Sequence, residues 1–281
     1  MNAIALLTLC SLLSTASFAT APELDPREDL QLRYDWYSSG GIILFAGSAL
    51  LASELLKAEM APANCRWCGR NALDDSVTRA LAWNDIGAAS KVGDLFAYVA
   101  MPLATAGTLA LVTASESRFE EMPLNLLIMA ETLVLSMTFN QIVKYAVGRE
   151  RPFVAELSAS EKSKTSSPAD NNLSFYSAHS SVAFALAVSA GTIAHLRGYE
   201  AEPYVWAIGL PMAAFVAYSR IGAKKHYLTD VLVGSVAGAA FGFAIPWLLH
   251  RPKSAQRAQG PAVSTSYVFL PSGFAIAGTF P

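Results

Sequence analysis

Six apolar segments separated by polar connections dominate this chain of 281 residues. They are the residues 41–56, 95–115, 123–143, 181–196, 204–218 and 231–249. A helix crosses the hydrocarbon core of a bilayer with about 20 residues, and roughly 17 is near the lower limit. Several segments therefore have spanning length, and the segments leave little sequence for strands. The pattern predicts an all-α bundle of six helices, and it favours a transmembrane bundle over a tight soluble one.

Composition narrows the class of protein further. Apolar residues make up 53% of the chain and charged residues 15%, whereas soluble domains carry about 25% charged residues. This excludes intrinsic disorder. A net charge of -2 provides no global basic field that would hold nucleic acid by its phosphates. The three cysteines, Cys10, Cys65 and Cys68, exclude a disulfide framework and a four-cysteine zinc site, and they allow at most one bridge.

The two ends of the chain differ in composition from the segments between them. Residues 1–19 contain a short apolar run that ends in small residues, which is typical of a signal peptide, but they lack Lys and Arg. We therefore expect either a cleaved signal peptide or an N-terminal anchor. Residues 20–250 form the main domain. Residues 251–281 are predicted to be a linker and a short hairpin, because two apolar runs flank a Pro-Ser-Gly turn.

Three clusters of ionisable residues lie at the ends of the apolar segments. They are Lys144–Pro152 after the third segment, Tyr176–His179 before the fourth, and Ser219–Asp230 between the fifth and the sixth. If each segment crosses the layer once, the connections after the first, third and fifth segments lie on one face. The three clusters should therefore meet on one side of the bundle.

The residue types in these clusters suit a phosphate group. Lys144, Arg151 and Arg220 supply three positive charges, and their N–H donors match a tetrahedral oxyanion. Ser177 and the backbone N–H groups that follow it lie at a predicted helix N-terminus, where an anion is favoured. These residues predict a phosphate cradle.

Two histidines and a carboxylate add the groups for phosphoryl transfer. His226 and Asp230 are four residues apart, so the carboxylate can bond one ring nitrogen and leave the other as the nucleophile. His179 then remains as the proton donor. Positioning and charge neutralisation do most of the work in such a reaction. We expect no metal and no cofactor, because no ligand cluster has metal-site spacing.

The three clusters resemble the type 2 phosphatidic acid phosphatase (PAP2) superfamily, which includes vanadium haloperoxidases. The family pattern is K-x6-RP, then PSGH, then SR-x5-H-x3-D. Lys144–Pro152 and Ser219–Asp230 fit the first and third elements at every fixed position. The second element differs, because Tyr176 replaces Pro and Ala178 replaces Gly. Ala178 keeps the backbone N–H that would contact phosphate, but not the conformational freedom of glycine.

The resemblance implies a role for each motif residue. His226 attacks phosphorus to give a phosphohistidine, and Asp230 orients its ring. His179 protonates the leaving oxygen and later activates water. The phosphoryl oxygens are bound by Lys144, Arg151, Ser177, Ala178 and Arg220.

With its apolar body, the chain is expected to be a metal-independent phosphatase for a lipid-like phosphate, such as phosphatidate, a polyprenyl diphosphate or a lipid A phosphate. Three alternatives stay open. They are a soluble exported acid phosphatase for small phosphomonoesters, a haloperoxidase with vanadate as its cofactor, and a catalytically dead phosphate-binding membrane protein.

The sidedness of the site is open to two interpretations. The resemblance implies a membrane protein with its active site on the outer, periplasmic face, or, for the soluble alternative, a periplasmic protein. A signal peptide cleaved after Ala19 would instead place the site in the cytoplasm by the parity of the segments. We expect the outer face, because a bridge between Cys65 and Cys68 would persist in an oxidising compartment.

Overall fold

The computed structural model describes residues 30–252 and the backbone of residues 265–270 and 273–278. The predicted leader, residues 1–19, lies outside the described residues. The helices in the described part are α1 (Trp36–Leu55), α2 (Lys57–Met60), α3 (Ala72–Leu81), α4 (Ile86–Leu95), α5 (Met101–Ser115), α6 (Met122–Val147), α7 (Pro152–Ala155), α8 (Ala159–Lys162), α9 (Ala178–Leu196), α10 (Glu202–Gly222) and α11 (Leu228–Ile245). Short π-helical turns occupy Phe96–Ala100 and Pro246–His250, and 3₁₀ turns occupy Phe119–Glu121 and Pro168–Asp170.

Six helical stretches are long and apolar enough to cross a membrane. They are Trp36–Leu55, Ile86–Ser115, Phe119–Val147, Ala178–Leu196, Glu202–Gly222 and Leu228–His250. Large apolar side chains on their outer surfaces are exposed, among them Leu44, Leu111 and Val236. A bilayer would cover such a surface, whereas water would not tolerate so large an apolar area. The prediction of an all-α, six-helix membrane protein is confirmed.

The second spanning stretch begins earlier than the sequence pattern indicated. Residues 57–94 were expected to be a connection, but α3 and α4 lie within them. Asp85 starts α4 because its side chain accepts a hydrogen bond from the backbone N–H of Ala88 at 2.9 Å. The π-helical turn Phe96–Ala100 then continues into α5, whose second residue, Pro102, lacks a backbone N–H. The result is a single stretch from Ile86 to Ser115.

Helix α9 is the central helix of the bundle. Of its 19 residues 14 are buried, whereas only two of the 20 residues of α1 are buried. It packs against α5, α6, α10 and α11. The N-terminus of this helix, which carries the second motif, is therefore fixed from several sides.

Glycines bring α9 and α11 into close contact. A Cβ atom added at Gly238 would lie 2.1 Å from the carbonyl oxygen of Ser181, which is closer than any real contact. Two further glycines make the same approach one turn away on either side, Gly234 to Ser177 and Gly242 to Ala185. The contacting residues recur every four positions on both helices, so one face of α11 packs along one face of α9 at backbone distance.

The two ends of the described helical domain meet. The backbone N–H of Arg33 donates to the carbonyl of His250 at 2.9 Å, and Nδ1 of His250 donates to the carbonyl of Arg33 at 2.8 Å. Nε2 of His250 lies 3.1 Å from the buried carboxylate of Glu131 in α6. These contacts give His250 a structural role.

The C-terminal residues form the predicted hairpin. Strand β1 (Thr265–Leu270) pairs antiparallel with β2 (Gly273–Gly278), with Leu270 opposite Gly273 next to the turn. The linker between His250 and this hairpin lies outside the described residues from position 253 to 264.

A pair of glycine substitutions tests the α9–α11 contact. Gly238→Ala should destabilise the protein by about 1–3 kcal/mol, because the new methyl group meets backbone that cannot move independently. Gly107→Ala in α5 is the matched control, since no atom lies within 4 Å of its added Cβ. Thermal unfolding in detergent should show a lower midpoint for Gly238→Ala and no loss for Gly107→Ala. Equal midpoints for the two variants would contradict the close contact.

Candidate active site

The first motif lies where α6 ends. Lys144 is in the last turn of the helix, and Gly148 ends it with φ of 58°, a left-handed conformation that favours glycine. The chain then reverses direction, and Arg151 directly precedes the short helix α7. The backbone N–H of Arg151 donates to the carbonyl of Asn171 at 2.9 Å, which fixes this arginine against the next connection.

The second motif forms the N-terminus of α9. Ser177 is the N-cap, and its hydroxyl oxygen accepts hydrogen bonds from the backbone N–H and the hydroxyl of Ser180 at 3.3 and 3.0 Å. Ala178 and His179 are the first two residues of the helix. Their N–H groups belong to the first turn, which has no acceptors within the helix.

The third motif spans the turn between α10 and α11. Arg220 lies in the last turn of α10, and its carbonyl accepts from the backbone N–H of His226 at 3.3 Å. Asp230 is in the first turn of α11. Its carbonyl accepts from the N–H of Ser177 at 3.0 Å, which joins the second motif to the third.

The three motifs meet around one cavity of about 570 Å³. Six of the eight predicted site residues line it: Lys144, Arg151, Ala178, His179, Arg220 and His226. The other two, Ser177 and Asp230, are buried and do not belong to the lining. The Ser177 oxygen caps α9 by accepting from Ser180, and these bonds do not use its own hydroxyl proton. A contact between Ser177 and phosphate stays a prediction.

The imidazole of His226 has a defined orientation. Its Nδ1 lies 2.7 Å from the carbonyl oxygen of Ser174, and because a carbonyl can only accept, Nδ1 carries the proton. The lone pair is therefore on Nε2, which has no hydrogen-bond partner in the described part of the chain. Since His226 lines the cavity, Nε2 is the atom placed to act as a nucleophile.

Asp230 supports His226 differently from the expected direct bond. The nearest carboxylate oxygen lies 3.9 Å from Nδ1 of His226. Instead the carboxylate accepts from the hydroxyl of Ser174 at 2.5 Å, from the backbone N–H of Tyr227 at 2.9 Å and from the guanidinium of Arg149. Asp230 lies in the first turn of α11, and its carboxylate accepts from the backbone N–H of Tyr227, the residue before the helix, as in a capping box.

Asp94 of α4 is a site residue that the sequence analysis missed. Its carboxylate lies 2.7 Å from Nε2 of His179 and accepts from the guanidinium of Arg220 at 3.0 Å. The ring of Tyr98, one turn further along the same stretch, packs on the His179 ring at 4.7 Å. The only signal in the sequence was a carboxylate next to an uncharged run, which does not identify its partners.

The cations of the cavity keep donors available for a ligand. The Lys144 ammonium group has no hydrogen bond or ion pair within the described residues, and Nε of Arg220 is buried without a partner there. Arg151 donates from Nε to the carbonyl of Asp170 at 2.7 Å, which orients its guanidinium plane. An oxyanion in the cavity would satisfy these donors.

Further charged residues line the cavity beyond the cradle. Lys57 is paired with Glu54 at 2.5 Å and lies 3.5 Å from Asp170, and Lys225 lies on the side of the third motif. Burial raises the pKa of Asp170, but Arg151 and Lys57 outweigh it and keep that pKa below its ordinary value. No group of three metal-ligating side chains occurs within the described residues.

The electrostatic environment holds His226 in its neutral form. Burial disfavours the imidazolium, and the positive charges of Arg151, Lys144 and Arg220 act in the same direction. The pKa of His226 is therefore well below its ordinary value. A neutral imidazole with a free Nε2 is the form that can attack phosphorus.

Residues 125–254 match the family model of the PAP2 superfamily, and this range contains all three motifs. Among solved structures, the chain is similar to a transmembrane PAP2 type phosphatidylglycerolphosphate phosphatase from Bacillus subtilis. The two share 18% sequence identity with a TM-score of 0.45 over 75% of this chain and 96% of that chain. None of the curated proteins matches this chain.

The departure of this chain from the PAP2 pattern occurs at Tyr176 and Ala178. Tyr176 is buried, and its carbonyl accepts from the side-chain amide of Asn140 at 2.9 Å, so it closes the wall next to α6. Ala178 lines the cavity at the start of α9. The site therefore has a small residue and a first-turn N–H at the position where the PAP2 pattern has glycine.

The protonation state of His226 can be tested without turnover. The chain has four histidines, so histidine-selective ¹⁵N labelling gives few resonances. The resonances that disappear in the His226→Asn variant belong to His226. We expect the titration midpoint of His226 to lie well below about 6.5, the ordinary value for histidine. The ring should then stay neutral as the pH falls through 6. A midpoint at or above the ordinary value would contradict the geometry described here.

Proposed function

We propose that this protein is a metal-independent phosphatase of the PAP2 type that hydrolyses a lipid phosphate monoester or diphosphate through a phosphohistidine on His226. One observation carries the proposal. The free Nε2 of a neutral histidine faces a cavity that Lys144, Arg151 and Arg220 also line. A nucleophile next to three cations suits attack on a phosphorus oxyanion.

In the first step Nε2 of His226 attacks phosphorus, and the bond between phosphorus and the leaving oxygen breaks. His179, with its ring against Asp94, gives its proton to that oxygen. Through this contact the Asp94 carboxylate orients the His179 ring. The products are the phosphohistidine and the alcohol, or the lipid monophosphate when the substrate is a diphosphate.

In the second step water replaces the histidine. The now neutral His179 accepts a proton from the water, whose oxygen forms the new bond to phosphorus as the bond to Nε2 breaks. Inorganic phosphate leaves, and both histidines return to their starting states. The charge that develops on the phosphoryl oxygens in both steps is stabilised by the three cations.

The surroundings of the cavity support a lipid as the substrate. Gly47, Leu50 and Leu51 of α1 and Met137 of α6 line it next to the cationic cradle. These residues lie on stretches long and apolar enough to cross a membrane. An apolar wall beside a phosphate cradle suits a molecule with a charged head and an apolar chain.

Removal of the nucleophile tests this mechanism. His226→Ala should lower kcat by about 10³-fold or more, because no covalent intermediate can form. His195→Ala is the matched control, since His195 is an exposed residue near the end of α9 away from the cavity. Phosphate release from phosphatidate, a polyprenyl diphosphate and a small phosphomonoester would be measured on purified protein. An alkaline quench with labelled substrate should trap phosphate on His226.

The same assay contains the outcomes that would reject the proposal. Full activity of His226→Ala would reject the nucleophile. Loss of activity with a chelator, restored by a divalent cation, would reject metal independence. Turnover of the small phosphomonoester alone would favour the exported acid phosphatase over the lipid phosphatase.

We also propose that the site faces the outer, periplasmic side of the membrane. Cys65 and Cys68 form a disulfide in the connection between α2 and α3. This connection contacts the first motif directly, since the backbone N–H of Arg66 donates to the carbonyl of Gly148 at 2.9 Å. Disulfides persist in oxidising compartments, so the bridge and the neighbouring site are expected on the same outer face.

Thiol labelling in intact cells tests this orientation. With Cys10→Ser as the background, a membrane-impermeant maleimide should label the chain only after treatment with an impermeant reductant. Adding Cys65→Ser leaves Cys68 as a single thiol, and this control should be labelled without reductant. Labelling that requires permeabilised membranes and no reductant would place the disulfide connection and the site in the cytoplasm.

A further inference from the structure

A buried ion-pair network lies directly behind the active site. The guanidinium of Arg149 joins two carboxylates, donating from Nη2 to Asp74 at 2.7 Å and from Nη1 to Asp230. All three side chains are fully buried. Thr229 completes the network, with its hydroxyl donating to Asp74 at 2.8 Å and accepting from Arg149 at 2.7 Å. None of these four residues lines the cavity.

Two aromatic rings fix the plane of the guanidinium. The central carbon of Arg149 lies 4.0 Å from the ring centroid of Trp67 and 4.2 Å from that of Tyr227. Trp67 belongs to the disulfide-closed turn, and its backbone N–H and carbonyl pair with Gly148 and Glu150 on either side of Arg149. Aromatic rings thus contact the faces of the Arg149 guanidinium and carboxylates contact its edge. These contacts restrict its orientation more than a single ion pair would.

A continuous chain of hydrogen bonds leads from Arg149 to the nucleophile. Arg149 donates to Asp230, Asp230 accepts from the hydroxyl of Ser174, and the carbonyl of Ser174 accepts from Nδ1 of His226. The backbone N–H of Ser174 also donates to the carbonyl of Arg149 at 2.9 Å. The position of Ser174, and through it the tautomer of His226, therefore depends on Arg149 by two routes.

We infer that Arg149 and Asp74 are positioning residues for His226, which hold Asp230 and Ser174 so that Nδ1 carries the proton and Nε2 faces the cavity. As a statement about catalysis, the inference rests on the proposed function. The geometry requires a forked cation at position 149, because two carboxylates on different helices are joined through separate nitrogens. Asp74 is required as the second anchor of that fork.

Other charges around His226 act on its protonation and not on this orientation. They are Lys144, Arg151, Arg220 and His179 on the cavity side. Asp230 behind the ring acts on its orientation through Ser174. Asp74 is itself ionised. Burial raises its pKa, but the N–H of Thr229 and the guanidinium of Arg149 outweigh that effect and keep the pKa below its ordinary value.

Two substitutions with matched controls test the inference. Arg149→Gln removes the fork, and Asp74→Asn removes its second anchor while keeping the shape of the side chain. Arg66→Gln is the control for the arginine, because Arg66 lies in the neighbouring disulfide-closed turn and its side chain donates only to carbonyls at the end of α6. Asp75→Asn is the control for the aspartate, one position along α3.

Two readouts separate positioning from general stability. The kcat of folded Arg149→Gln should fall by about 10²-fold and that of Asp74→Asn by about tenfold, with KM nearly unchanged, since the cradle is intact. The ¹⁵N shifts of His226 at neutral pH should indicate a single tautomer, with the proton on Nδ1, in the wild type and both controls. In the two test variants they should indicate a mixture of tautomers.

The two readouts also separate this inference from the proposed function. A fixed tautomer and a kcat within twofold of wild type in folded Arg149→Gln would overturn the positioning role. If Arg149→Gln does not fold, the same result in Asp74→Asn overturns it. Mixed tautomers in the variants of a chain that releases no phosphate would support the positioning role and reject the proposed function.

Discussion

The contact between the backbones of α9 and α11 is the constraint on which the active site depends. Glycines of α11 let the two helices approach until the carbonyl of Ser181 meets the position that a side chain at 238 would occupy. The first turns of both helices then lie side by side, and the N–H of Ser177 bonds the carbonyl of Asp230. Because His179 follows Ser177 by two positions and His226 precedes Asp230 by four, this backbone contact ties the positions of the two histidines to each other. Such a framework can hold catalytic groups without reorganisation during the reaction.

Buried charge is the second determinant, and its free-energy cost explains how the cations are arranged. An unpaired charge taken out of water costs several kcal/mol, and breaking a buried pair by removing one partner costs about 3–5 kcal/mol. The Arg149 guanidinium, which touches no ligand, is fully neutralised by two carboxylates. Lys144, which lines the cavity, has no such partner among the described residues. The fold thus pairs Arg149, which has a structural role, with carboxylates and leaves Lys144 in the cavity without a counter-charge. A bound oxyanion supplies that negative charge.

The parts of the site that could be predicted from the sequence are those with a fixed spacing along the chain. Lys144, Arg151, Arg220 and His226 line one cavity because their helices end on the same side, which follows from counting segments. Asp94 could not be predicted, since it meets His179 across 85 positions of sequence and only the packing of α4 brings it there. The bond from His226 to a backbone carbonyl was missed for another reason. Spacing on a helix identifies side-chain pairs, whereas every residue has a carbonyl, and only the three-dimensional path of the chain selects that of Ser174.

The position of α1 bears on how a lipid and water could both reach the same phosphorus. This helix packs mainly against α6 and has only two buried residues, yet Gly47, Leu50 and Leu51 form part of the cavity wall. Another part of the lining is polar and contains Lys57 of α2 and Ser167 and Asp170 of the connection between α8 and α9. For a lipid phosphate, an apolar chain can lie along α1 while its head occupies the cradle. Water for the second step then arrives from the polar connections. On the proposed mechanism the water attacks on the face of the phosphoryl group that the lipid oxygen has left, opposite Nε2 of His226, so His179 can serve both steps. The lipid therefore has to withdraw along α1 before water from the polar side takes its place.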